Sequence, residues 1–401
     1  MKKILIIEDD QLVANIYRNK FAAENYKVEV ALDGESGFEN LNSFHPDVII
    51  LDLMLPKMSG LDLLTKIRAQ DKWKQLPVIV FSNTFLSNMV QQAWAAGATK
   101  CLSKASCTPR QVIEVVRSLL PQSADSASDE DEGIGSGKPH SRHAKTAPLS
   151  DSDAALQAEL RKVFLADLSP TIAACRANLQ AIVKNAEETD RAKNLDQLYR
   201  RIHTLTGNAA IAGEPDIAQL ADALEALLRE LCEKPKTINA SILRTLAMTL
   251  DFASVLFERA SQPQSQAASP APKFNILVVD DEAISRRAVT YALEKAKLTC
   301  TAVENPEAAL KLLAENGYDL VFLDVDMPGM NGFELCTKLR TFARNKTTPV
   351  VFVTSLTDFE SRANSTMSGG NDLIAKPFLF MELAVKALIY VLRGKIARAS
   401  A

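Results

Sequence analysis

Val321-Phe322-Leu323-Asp324-Val325-Asp326-Met327-Pro328-Gly329-Met330-Asn331-Gly332 is the stretch on which the fold turns. A short apolar run ends in a carboxylate, and a Pro/Gly turn follows at once. An unbroken apolar run of this length suits a strand buried on both faces of a parallel sheet. Such a strand delivers its last residue to the carboxyl edge, where open α/β sheets bind ligands. Taken alone, Asp324 reads equally well as a strand-end residue capping a turn. A second copy tips the balance: Val48-Ile49-Ile50-Leu51-Asp52-Leu53-Met54-Leu55-Pro56-Lys57-Met58-Ser59-Gly60.

The surroundings of the two copies keep the same register. An acidic pair closes the first apolar run of each, Glu8-Asp9 and Asp280-Asp281, and 43 residues separate Asp9 from Asp52 and Asp281 from Asp324. A hydroxyl follows 30 residues after each aspartate, at Ser82 and Thr354, and a lysine 52 residues after, at Lys104 and Lys376. Equal offsets over some hundred residues mark one repeated domain. This constellation resembles the receiver domain of two-component response regulators, the resemblance covering roughly residues 1–121 and 273–395 of expected domains at 1–121 and 273–401. The resemblance implies a flavodoxin-like, doubly wound α/β domain with five parallel strands in the order 2-1-3-4-5.

Composition agrees. A chain of 401 residues accommodates two to three domains. A formal charge of −3 with no concentrated basic patch speaks against nucleic acid as a partner. Six cysteines lie scattered without metal or redox spacing, as expected of reduced, mostly packed thiols. Met1-Lys2-Lys3 followed by an apolar run starts like a signal peptide, but Glu8 interrupts it, and no run of about 18 apolar residues follows. The expectation is a soluble, cytoplasmic bacterial protein with no membrane partner.

In chain order, short apolar runs near 3–8, 27–31, 47–52, 77–82 and 99–103 read as strands. Helical patterns fill the gaps, the last from Thr108 to Leu120. Residues 122–150 lose periodicity and read as a disordered linker, rich in acid, Gly and Ser. Gly133-Ile134-Gly135-Ser136-Gly137-Lys138 within it fails as a phosphate loop. Glu132 stands where the first Gly is needed, Pro139 replaces the hydroxyl residue and no strand precedes it. His140 and His143 there read as solvated residues rather than metal ligands. Residues 151–260 are helical throughout, with breaks near Asn185–Asp190, Gly213–Pro215 and Lys234–Pro235 and a break or kink expected at Pro170. Four or five such helices form an antiparallel bundle. Residues 261–272 form a second polar linker.

In the bundle, Leu198, Ile202 and Leu205 make the buried stripe, and His203 lies beside that face. Gly207 sits one turn on, over His203. A mid-helix glycine costs about 1 kcal/mol against alanine, and a clear approach for a bulky partner to the imidazole accounts for it. The run His203-Thr204-Leu205-Thr206-Gly207, followed by Ala209, Ala210 and Gly213, resembles the histidine phosphotransfer (HPt) motif. Thr206 replaces the family's lysine. Arg200 and Arg201 are the cations nearest in sequence to replace it, Arg200 being closer to the His203 face.

The resemblances imply chemistry residue by residue. Asp52 and Asp324 are the phosphoacceptors, and His203 carries the phosphoryl group between carriers. Three carboxylates in one pocket repel one another unless a cation joins them, and hard oxygen ligands suit Mg²⁺. Glu8, Asp9, Asp52 and the Met54 carbonyl are its implied ligands in the first copy. Asp280, Asp281, Asp324 and the Asp326 carbonyl are those in the second. Lys104 and Lys376 neutralise the phosphoryl oxygens, and Ser82 and Thr354 hydrogen-bond one of them. The second copy keeps the family's Lys-Pro step at Lys376-Pro377. The first has Lys104-Ala105, where a cis bond costs about 2.5–4 kcal/mol, so its loop is expected to place Lys104 differently. Cys101 and Leu373 stand where the family has its switch aromatic. The response is therefore expected to run through packing of the fourth helix and fifth strand.

The expected function is a phosphorelay protein of receiver–HPt–receiver order, a phosphocarrier with intrinsic aspartyl-phosphate transfer and autodephosphorylation. With no ATP-binding motif, a sensor histidine kinase supplies the phosphoryl group. With no DNA-binding segment after Gly394, a downstream receiver or HPt protein takes it. The rival reading is a phosphorylation-switched scaffold whose degenerate bundle only docks partners. Thr206 and Ala105 favour that rival; His203 and Gly207 oppose it.

Overall fold

A computed structural model describes residues 1–82, 88–104, 107, 109–120, 151–184, 187–262, 274–355 and 367–399. The expected linkers, the Gly133–Lys138 stretch, His140, His143 and the Lys104–Ala105 bond lie outside these residues, apart from Ser261 and Gln262.

In the first receiver-like domain, the apolar runs form β1 (Lys3–Ile7), β2 (Lys27–Ala31), β3 (Val48–Leu51), β4 (Val78–Ser82) and β5 (Lys100–Ser103). Between and after them come α1 (Gln11–Ala23), α2 (Gly34–Phe44), α3 (Gly60–Arg68), α4 (Asn88–Ala95) and α5 (Pro109–Leu119). All strand pairs are parallel, in the order β2-β1-β3-β4-β5. β1, β3 and β4 are buried on both faces, which is why their sequences lack polar alternation. One core layer, around Leu5, Ile49, Leu51, Leu63, Leu64 and Val80, fills one side of the sheet. A second, around Ile4, Tyr17, Phe21, Ile50, Phe81 and Val112, fills the other.

The bundle comprises α6 (Asp151–Lys184), α7 (Glu188–Ile211), α8 (Pro215–Glu233) and α9 (Ala240–Ala260). Pro170 does not end a helix: α6 runs through it. Proline removes one backbone bond from the ladder, but Leu168 and Ile172 on either side are both buried, and that packing holds the helix together. α9 is long and apolar enough to cross a membrane by length and composition. Here Ile242, Leu246, Leu250, Phe252 and Leu256 of α9 are buried within the protein.

The second receiver-like domain repeats the first: β6 (Ile276–Val279), α10 (Ala283–Lys295), β7 (Cys300–Val303), α11 (Pro306–Glu315), β8 (Leu320–Asp324), α12 (Gly332–Leu339), β9 (Val350–Thr354), β10 (Asp372–Ala375) and α13 (Phe380–Ala399). Its parallel order, β10-β9-β8-β6-β7, is the same topology. This domain belongs to one compact unit with the bundle helices from Leu165 onward, whereas the first domain belongs to another. None of the six cysteines forms a disulfide; Cys175 and Cys336 are buried and Cys232 is exposed.

Candidate functional site

Each sheet brings its separated acids to one carboxyl edge. In the first domain, ligand oxygens of Glu8, Asp9 and Asp52 lie within 4.8 Å of one another; in the second, those of Asp280, Asp281 and Asp324 do the same. Asp9 and Asp281 are the exposed members of their clusters. Local backbone shapes the pockets. The Asp52 Oδ1 accepts the Met54 N–H at 3.1 Å. The Asp324 Oδ1 accepts those of Val325 at 2.7 Å and Asp326 at 3.4 Å. Gly60 and Gly332 open the following helices, where a Cβ would stand 2.0 Å from the Asp52 carbonyl oxygen and 2.1 Å from that of Asp324. No side chain fits so close to backbone.

Lys104 Nζ reaches Glu8 Oε1 at 2.8 Å and bonds Asp52 Oδ2. Lys376 Nζ lies 3.1 Å from Asp280 Oδ2 and 2.9 Å from Asp324 Oδ2. The expected displacement of Lys104 is therefore corrected: both lysines span the same pair of acids. A four-carbon stem drawn by two carboxylates finds them without the proline that follows Lys376. Backbone supports both, since Lys104 N–H donates to the Ser82 carbonyl at 3.2 Å and Lys376 N–H to that of Thr354 at 2.8 Å. Ser82 and Thr354 are buried at these strand ends.

The pockets differ in dryness. The Lys104 side chain is 3% exposed and that of Lys376 18%. Burial pushes the Glu8 carboxyl up to about 8 against the pull of Lys104, with the Asp52 charge adding to the rise. Burial opposes the charge on Lys104, yet attraction to Asp52 and Glu8 outweighs it and raises the ammonium above its ordinary value. In the second pocket, burial raises Asp324 while Lys376 draws it back. The arrangement calls for a further cation: each cluster sets one lysine against three acids. Ser285 Oγ and the Glu282 N–H (3.0 Å) also bond Asp280. Neither of these two contacts was legible in the sequence.

Leu198, Ile202 and Leu205 are buried as the helical spacing predicts, but His203 is buried with them rather than beside them. A partner on the next helix draws it inward. His203 Nδ1 stands 2.9 Å from Glu225 Oε1 of α8, itself buried. An ionised carboxylate only accepts, so Nδ1 carries the proton and the in-plane lone pair falls on Nε2. Tyr199 lies alongside, its ring centroid 6.2 Å from the imidazole. Sequence reading missed Glu225, since nothing local to α8 marks it among the acids there. The arginines proposed to replace the family lysine are engaged elsewhere. Arg200 Nε bonds Asp196 Oδ2 at 2.9 Å and Arg201 Nε bonds Asn178 Oδ1 at 3.1 Å. Thr206 is buried and donates its hydroxyl to the Ile202 carbonyl at 2.8 Å.

In chain order, then, an open parallel sheet with an acid cluster and a lysine at its carboxyl edge precedes a helical bundle that holds a buried histidine, and a second such sheet follows it. The chain belongs to the response regulator receiver family, whose domain model matches residues 4–117 and 276–388; the Hpt domain model matches 159–253. Its receiver–Hpt–receiver architecture is that of a phosphorelay protein. Among curated relatives, it is 39% identical over 116 residues to the transcriptional regulatory protein ResD of Bacillus subtilis (strain 168). It is 37% identical over 116 residues to the transcriptional regulatory protein SrrA of Staphylococcus aureus (strain NCTC 8325 / PS 47). Each match takes in 28% of this chain, and the chain spans 47% of the length of either relative. Among solved structures, the chemotaxis protein CheY4 of Vibrio cholerae matches at 26% identity and a TM-score of 0.29, over 30% of this chain and 99% of that one.

Proposed function

We propose that Asp52 and Asp324 accept phosphoryl groups, that His203 relays them, and that each acid cluster holds Mg²⁺. The domains serving these steps are residues 1–121, 151–260 and 273–401, with linkers at 122–150 and 261–272. The observation that carries the reading is the approach of one lysine to two carboxylates at the same sheet edge, built twice from residues far apart in sequence.

In transfer to a receiver, a carboxylate oxygen of Asp52 or Asp324 attacks phosphorus on a phosphohistidine donor. The P–N bond breaks as the P–O bond forms, and the departing imidazole nitrogen recovers its lone pair. Glu8, Asp9 and Asp52, with the Met54 carbonyl, would hold Mg²⁺ in the first pocket; Asp280, Asp281 and Asp324, with the Asp326 carbonyl, would hold it in the second. When bound, the ion neutralises charge on the phosphoryl oxygens. Lys104 and Lys376 then exchange one carboxylate contact for a phosphoryl oxygen, and Ser82 and Thr354 donate a hydroxyl to another. At His203, Glu225 keeps the proton on Nδ1 and so aims Nε2 as the nucleophile.

The phosphoryl source is a sensor histidine kinase and the recipient a further receiver or Hpt protein, all in the cytoplasm. To test this, full-length protein and its Asp52→Ala, Asp324→Ala and His203→Ala variants are incubated with a phosphorylated kinase and Mg²⁺. Each Asp variant is expected to lose acid-stable label at its own domain, and His203→Ala to block label from at least one receiver. Retained label at a substituted domain refutes that residue's assignment. Equal filling of both receivers without His203 would make the bundle a scaffold.

A further inference from the structure

The most unusual helix in the second receiver is α13. Residues Glu382 to Leu392 are buried without interruption. At about 100° per residue, eleven consecutive positions go right round a helix, so both its faces are covered. One face packs on the receiver's own sheet and α10; the other meets α8 and α9 of the bundle. Polar ties run the length of this second face. Glu382 Oε1 accepts from Ser241 Oγ at 2.6 Å and Thr245 Oγ1 at 3.3 Å, in the first turns of α9. Lys395 Nζ grips Asp216 Oδ1 and Oδ2 at 2.7 and 2.8 Å, at the start of α8. Beside α13, Gln219 Nε2 donates at 3.1 Å to the Ala296 carbonyl that closes α10, and the Arg393 guanidinium of α13 lies 5.3 Å over the Phe252 ring.

This contact fixes which side of α8 the receiver occupies. Asp216 and Gln219 face it. Glu225, nine residues past Asp216, lies about half a turn round α8 from Asp216 and about a third of a turn from Gln219. The Glu225–His203 pair therefore stands on the far side of α8 from α13. Meanwhile α13 is tied back to the phosphoryl pocket. Lys386, buried in its second turn, pairs with Asp372 at the start of β10, and β10 leads into Lys376, which holds Asp324.

We infer that the second receiver regulates the bundle it is fused to through α13 and does not exchange its phosphoryl group with His203 of the same chain. His203 serves other receivers, while Asp324 occupancy is felt by α8 and α9 along the line Lys376–β10–Asp372–Lys386–Glu382. The inference rests on the proposed roles of Asp324 and His203.

The test uses the full-length Asp52→Ala protein, which leaves Asp324 as the one assigned acceptor. Mg²⁺ and beryllofluoride are expected to slow hydrogen exchange in peptides around Asp324 and also in 215–222 and 240–250. The second effect should vanish in Lys386→Met, with the first retained. In parallel, Asp324 is charged with labelled acetyl phosphate across a range of protein concentrations. Any acid-labile label at His203 is expected to appear at a rate that scales with concentration. Unchanged exchange in α8 and α9 beside a protected pocket, or a concentration-independent transfer to His203, overturns the inference. A pocket that takes up no beryllofluoride refutes the site assignment instead. The α13 link is then decided by Lys395→Glu, which must speed exchange in α13 and the first turns of α8 together or the inference fails.

Discussion

Asp372→Ala is expected to destabilise the second receiver more than Lys386→Met, although each removes the same ion pair. The asymmetry follows from burial: the Lys386 side chain is 1% exposed and that of Asp372 16%. Removing Asp372 leaves an ammonium sealed between sheet and bundle with no counter-charge, at a cost of about 3–5 kcal/mol. Lys386→Met fills similar volume with an apolar chain. The carboxylate left behind reaches water and still accepts the Leu373 N–H at 2.7 Å. That loss is about 1–2 kcal/mol. The double variant buries no lone charge and should regain most of the difference. Exchange of β9 and β10 amides in full-length protein under increasing urea measures all three. Trp73 and Trp94, the two tryptophans of the chain, both lie in the first receiver and give an unchanged internal reference. Equal losses in the two single variants, or a double variant as unstable as Asp372→Ala, would refute the argument that buried Lys386 is held by its partner.

Burial, with the Glu225 charge adding to it, pushes the Asp222 carboxyl up to about 6. The folded protein thus keeps that proton to higher pH than the unfolded chain, so this contribution to stability is complete below about pH 4 and lost as pH rises through about 6. Urea midpoints of Asp222→Asn should show less of that decline than wild type, the difference amounting to at most about 3 kcal/mol. Gly60→Ala and Gly332→Ala force a methyl into the Asp52 and Asp324 carbonyls and should each cost at least about 1–3 kcal/mol and impair labelling of that domain; wild-type labelling would show that the turn yields freely. Lys104→Met should destabilise its receiver more than Lys376→Met does, because the acids it leaves behind lie in a drier pocket, and Mg²⁺ should restore part of the loss in each. Thermal melts with and without the ion check both statements.

Much of the fold was readable because its signals are local. Strands buried on both faces write unbroken apolar runs such as Val48–Leu51, and the turn after each aspartate needs glycine because backbone passes within van der Waals contact. The site residues of the receivers were readable for a different reason. Strand ends deliver side chains to one edge whatever the intervening helices contain, so matching offsets from Asp52 and Asp324 located Glu8, Lys104 and their counterparts without coordinates. Of the break or kink expected at Pro170, the break is absent, because local propensity cannot weigh the packing of Leu168 and Ile172 around it.

Taken by itself, then, the sequence determined the order of elements, the two sheets and the acids and lysine at each edge, all of which follow from periodicity and spacing along one chain. Only the tertiary structure decided that Glu225 holds His203, that Lys104 reaches its acids without a following proline, and that α13 is shared with the bundle. Nothing local to α13 in the sequence names a partner for Glu382 or Lys386. Their burial depends on Ser241, Thr245 and Asp372, distant in sequence, and the energy of a charge is set by what surrounds it in space rather than by its neighbours along the chain.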